Sequence, residues 1–120
     1  MPSINIFRNS TEYTTVKKGK LIFKEGEPGN IAYAIKEGEV DIVLGEKVID
    51  HVLPGGIIGE MALIDKRPRS ASAVAATDCQ IVPINEKQFT FLVQQTPYFA
   101  LDVMRVMADR LRRLMETKTN

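Results

Sequence analysis

The chain has 120 residues, 44% of them hydrophobic and 26% charged, with a formal net charge of +1. That length suits one domain that buries a core without staples, and that charge supplies no field to recruit nucleic acid or a membrane surface. One cysteine, Cys79, excludes an internal disulfide, and no stretch has the apolar run of a signal peptide or a membrane span, so the cytoplasm is the expected compartment.

The segment ahead of Tyr13 has no clear period and is expected to be a short helix or arm. Beyond it the chain divides in two. All eight glycines lie between Gly19 and Gly59, whereas nothing after Pro97 is glycine or proline. A turn-rich β half over about 13–84 is therefore predicted, followed by helices over about 86–116. Leu21 alternates with Phe23, and Val40 with Ile42 and Leu44, as in half-buried strands. Residues 48–53 and 80–84 read as further strands, while 25–30 and 44–47 carry turn chemistry. Periodicity alone thus predicts a small all-β unit with C-terminal helices. No repeat or low-complexity tract interrupts it.

Asn85 is the expected N-cap of a helix over 86–95, and Pro97 separates it from a last helix over 98–116. Ala100, Met104, Met107, Leu111 and Leu114 follow one another at spacings of four and three, a short coiled-coil-like seam. Phe99, Val103 and Val106 form a second apolar set on another face. A helix apolar on two sides usually touches two things. The barrel is the expected first partner, and an identical helix, making a homodimer, or a downstream protein is the expected second. The competing reading buries both faces against the barrel.

The most informative stretch runs from Gly59-Glu60-Met61-Ala62-Leu63 to Arg69-Ser70-Ala71-Ser72. Gly59 allows a backbone conformation closed to other residues and a close approach of ligand to main chain. The helix formers after it suggest a short helix whose first amides are free to bind an anion. Glu60 would repel a phosphate and is suited to accept from a neutral hydroxyl. Arg69 has the planar, multi-donor head that matches phosphate, and Ser70 adds a hydroxyl donor. Hydroxyl acceptor, amide cradle and arginine together describe a sugar phosphate.

Residues 59–63 and 68–74 resemble the phosphate-binding cassette of cyclic-nucleotide-binding domains, the sensor domains of the catabolite activator, cAMP-dependent kinase regulatory subunits and nucleotide-gated channels. Residues 18–29 and 33–40 resemble the family's earlier glycine-rich stretches, so the likeness covers roughly 16–114. It implies an eight-stranded antiparallel β-roll of jelly-roll type with flanking helices. It also implies that Glu60 holds a ribose 2′-hydroxyl and that Arg69 and Ser70 bind the cyclic phosphate with amides around Gly59, Met61 and Ala62. Ile42 and Ile49 match pocket-wall positions, and Arg110 a position that pairs with Glu60 or approaches the phosphate. Leu114 and Met115 stand where a hydroxyl pair meets the base in the catabolite activator, and Gly56 where an acid is common. The implied ligand is cAMP or cGMP, with no cofactor. The implied function is a regulatory module signalling through its C-terminal helix. The alternative is a degenerate relative used for dimerisation or docking without nucleotide.

Enzyme chemistry finds little support. His51 is the only histidine, too few for the metal clusters of jelly-roll enzymes, and Cys79 is distant from it in sequence. There is no nucleophile elbow around Ser70 or Ser72 and no Walker-type loop. Arg105, Arg110, Arg112 and Arg113 are interleaved with Asp102, Asp109 and Glu116, and no helix-turn-helix follows them before Asn120, so no nucleic-acid partner is expected.

Overall fold

The computed structural model describes residues 7–119. Its β half is two four-stranded sheets. The first has the order β1 (Thr14–Val16), β8 (Cys79–Asn85), β3 (Ile31–Glu37), β6 (Ile57–Ile58). The second has the order β2 (Leu21–Phe23), β7 (Ser72–Ala75), β4 (Val40–Leu44), β5 (Lys47–Val52). Every pairing is antiparallel. The described residues also form three helices: α1 (Met61–Ile64), α2 (Glu86–Gln95) and α3 (Pro97–Thr119). None of the described helices is long and apolar enough to cross a membrane.

Side-chain alternation explains the layering, because successive residues of a strand face opposite sides. On β8, Cys79 and Ile81 point between the sheets and join Ile35, Val40, Ile58 and Ala73 in one core. Val82 and Ile84 point the other way and meet Phe99, Val103 and Val106 of α3 in a second core. The first sheet is therefore covered on both faces. Phe99 is its helical anchor, buried edge-on against Phe89 of α2 and Phe7.

The β-roll with C-terminal helices is as expected. The strand over 21–23, the strand over 40–44 and the helix over 86–95 have the expected bounds. Asn85 caps α2 in a full capping box: its side chain accepts from the Gln88 amide at 2.8 Å, and the Gln88 side chain accepts from the Asn85 amide at 2.9 Å. Strands β1, β6 and β7 were not expected. β7 reads Ser-Ala-Val-Ala, small residues with little strand character, and it forms because it fills the gap between β2 and β4. Helix α3 extends past both expected ends. Its apolar set Phe99, Val103 and Val106 is buried, whereas Met104 and Leu111 of the seam are each 58% exposed. The barrel thus covers one face only, with Met107 reaching its edge. The segment before Tyr13 is described only from Phe7, where residues 7–9 form a turn; residues 1–6 lie outside the described residues.

His51, the one histidine, is held by two carboxylates. On the outer face of β4 and β5 its Nδ1 lies 2.6 Å from Asp41 Oδ1 and its Nε2 2.5 Å from Glu39 Oε1. Both nitrogens donate only if the ring is protonated. The hydrogen bonds to Asp41 and then Glu39 raise its pKa despite some burial. A cation favoured in the fold stabilises below its unfolded pKa, and the gain is lost as pH rises through the folded pKa. His51→Ala is therefore expected to lower the urea midpoint in mild acid and to approach wild type in mild alkali, measured by denaturation across that range.

Candidate functional site

A cavity of about 380 Å³ lies against the second sheet. Phe23 of β2, Ile42 and Leu44 of β4 and Ile49 of β5 form its apolar wall. The segment from Gly59 to Ala71 forms the polar side, and Arg110 and Leu114 of α3 close it. The structure brings every sequence-predicted site residue to this one cavity: Ile42, Ile49, Gly59, Glu60, Met61, Ala62, Arg69, Ser70, Arg110 and Leu114. A larger groove of about 840 Å³ runs between Tyr13, Ile31 and α2 and contains neither Glu60 nor Arg69.

Gly59, at φ 73°, turns the chain from β6 into α1. That turn sends Glu60 inward, where it is 2% exposed. Arg110 donates to its Oε1 at 2.9 Å, while Oε2 is buried without a hydrogen-bond partner among the described residues. Burial pushes the Glu60 carboxyl above its ordinary range, and neighbouring Arg110 only partly offsets this. A buried oxygen without a partner is uncommon in folded proteins and marks a place for a donor. The Ala62 amide is less free than expected, being turned toward the Gly59 carbonyl at 3.3 Å, and Met61 is half exposed at the rim. Ser70 is exposed beside it.

Arg69 is buried, at 8% exposure, yet no carboxylate among the described residues forms an ion pair with it. Its guanidinium donates to the carbonyls of Gly59 at 3.2 Å and Ile31 at 2.8 Å and stacks 4.2 Å over the Phe23 ring. Two glycines make that slot: a Cβ on Gly29 would overlap the Arg69 guanidinium, and one on Gly59 would stand 2.6 Å from Arg69 Nη1. Burial lowers the Arg69 pKa, but an arginine remains cationic. The cation is thus held by two neutral carbonyls and the face of Phe23, with no ion-pair partner among the described residues.

Arg110 pairs with Glu60. It also donates to Asp50 Oδ2 at 2.8 Å and to the Ile57 carbonyl at 2.9 Å. Sequence reasoning missed Asp50, Gly29 and Phe23. Asp50 had a signal: it shares with Val52 the inward register of β5, where an apolar residue is the rule. Gly29 had none, because its need is set by Arg69, distant in sequence.

This geometry belongs to a known class of binding module. The sequence profile of the cyclic nucleotide-binding domain matches residues 13–96, well over half of the chain. The chain belongs to that family. It is 37% identical over 68% of its length to a cAMP-dependent protein kinase regulatory subunit of Eremothecium gossypii, covering 18% of that protein. It is 34% identical over 79% of its length to the cyclic AMP receptor protein of Thermus thermophilus, covering 46% of it. The solved Thermus thermophilus catabolite activator protein superposes with a TM-score of 0.74 at 29% identity, over 89% of this chain and 54% of that one. The chain thus spans less than half the length of these two curated relatives.

Proposed function

We propose that the cavity binds a cyclic mononucleotide, cAMP or cGMP, and that the chain is a regulatory sensor, not a catalyst. One observation carries this reading. Arg69, a buried cation with no ion-pair partner among the described residues, and Glu60, whose buried Oε2 has no hydrogen-bond donor among them, line the same cavity. A cyclic phosphate supplies the first and a ribose hydroxyl the second. Phosphate capture draws Arg69 from its carbonyls, with Ser70 and the turn at Met61 and Ala62 adding donors. The purine lies along Ile42, Ile49 and Leu114, apolar residues that give contact without reading the base edge. The relatives named for cAMP support the ligand class.

The signal leaves through α3, which touches the ligand pocket at Arg110 and Leu114 and presents Leu101, Met104, Leu111 and Met115 outward. Ligand binding shifts the population of α3 positions, and the outward stripe docks a second copy or a downstream protein. The stripe also supports a second reading, a docking module without nucleotide.

Calorimetric titration with cAMP, cGMP and 5′-AMP tests the first reading. Saturable binding of a cyclic form, with little of 5′-AMP, is expected; no heat with any of them favours the docking module. Gly29→Ala is expected to weaken the same titration by roughly tenfold, the scale of one lost charged hydrogen bond. The added methyl overlaps the Arg69 guanidinium, while the backbone at Gly29 is not in the left-handed region, so the fold and its unfolding midpoint are expected to persist.

A further inference from the structure

Behind the pocket acid, strand β5 buries a second carboxylate. Asp50 accepts from Arg110 Nε on one oxygen at 2.8 Å. Its other oxygen accepts from Arg113 at 2.5 Å and from the His51 amide at 2.9 Å. Arg113 in turn donates to Asp109 at 3.0 Å. Two arginines one turn apart on α3 therefore converge on one strand residue, and Arg110 spans from it to Glu60. Burying a carboxylate beside Val52 is costly unless its oxygens are bonded, and here both are.

The chain of contacts has a direction. Arg110 occupies Glu60 Oε1 and leaves the buried Oε2 without a hydrogen-bond partner among the described residues. Arg110 is held at three points, by Glu60, by the Ile57 carbonyl and, at Nε, by Asp50. Of these, Asp50 is the charged partner that ties the guanidinium to β5.

We propose that Asp50 is a positioning residue for ligand recognition: through Arg110 it sets the orientation of Glu60, and through Arg113 it ties that setting to the position of α3. The inference rests on the reading of Glu60 as acceptor of a ligand hydroxyl. A plain staple between β5 and α3 would weaken all ligands alike, whereas a positioning residue affects the hydroxyl contact selectively.

The test is a titration of wild type and Asp50→Asn with cAMP and with 2′-deoxy-cAMP, or with the cGMP pair if that binds more tightly. Wild type is expected to prefer the ribose form by roughly ten- to hundredfold, the range for a hydrogen bond to a charged group. In Asp50→Asn that preference is expected to shrink to about threefold, with deoxy affinity nearly unchanged. Equal losses for both ligands, or an undiminished preference, would overturn the proposal. A wild type without any preference would sink the hydroxyl reading of Glu60 itself, and this inference with it. Asp50→Asn/Arg113→Gln guards against a folding defect by removing, together with the carboxylate, the charge that pairs with it. It is expected to keep the reduced preference; a return to the wild-type ratio would assign the effect to Arg113 and overturn the role of Asp50.

Discussion

Arg69→Ala is expected to lower cyclic-nucleotide affinity by about 2–5 kcal/mol, roughly 30- to 4,000-fold, in calorimetric titration. The magnitude follows from burial: Arg69 is 8% exposed as a residue, so its cation meets an anion with little competition from water. Stability is expected to move far less. The substitution removes a buried cation that has no ion-paired carboxylate among the described residues and frees the Gly59 carbonyl, at a cavity that water can enter, and the Ile31 carbonyl. Arg69→Lys is expected to fall between the two, since it keeps the charge and loses the fork and the stack on Phe23. An Arg69→Ala protein that binds as tightly as wild type would remove Arg69 from the site.

Arg110→Ala is expected to act on the fold. It leaves the side chains of Glu60 and Asp50, 2% and 3% exposed, without their shared cation. Removing one member of a buried ionic group costs about 3–5 kcal/mol, and the remaining Arg113 contact to Asp50 places this near the lower end. Urea denaturation reads that loss directly. Its pH dependence has a defined sign. The Glu60 carboxyl is already raised by burial, and losing Arg110 raises it further. A group raised in the fold stabilises fully below its unfolded pKa and loses that contribution as pH rises through the folded value. The variant is therefore expected to be closest to wild type in acid and furthest from it at neutral pH. A deficit that does not change with pH would contradict the network.

The physical reasons for what was legible lie in range. Helix α2 was readable because Asn85 and Gln88 cap it within one turn. The strands with alternating Leu21 and Phe23 or Val40, Ile42 and Leu44 carried their own period. Strand β7 did not, since Ala73 and Ala75 are strand residues only because the two flanking strands enclose them. The site shows the same division. Glu60 and Arg69 stand in one continuous motif, and the resemblance of that motif pointed to Ile42, Ile49 and Arg110 as well. What the motif did not contain was the support: the slot made by Gly29, the ring of Phe23 and the carboxylate of Asp50 arise from contacts across 60 residues or fewer of chain that no local pattern encodes. The exposed half of the α3 seam was legible as a surface but not as a choice of partner, because Met104 and Leu111 specify apolar contact and nothing more.

The most direct measurement is a nuclear magnetic resonance titration of the labelled protein with cAMP and cGMP, following backbone amides and the arginine side chains. Capture at this cavity predicts large, saturable shifts at Gly59, Glu60, Ala62, Arg69 and Ser70, with changes continuing to Arg110 and Leu114 on α3. Shifts confined to the groove beside Tyr13 and α2, or no saturable shifts at all, would contradict it.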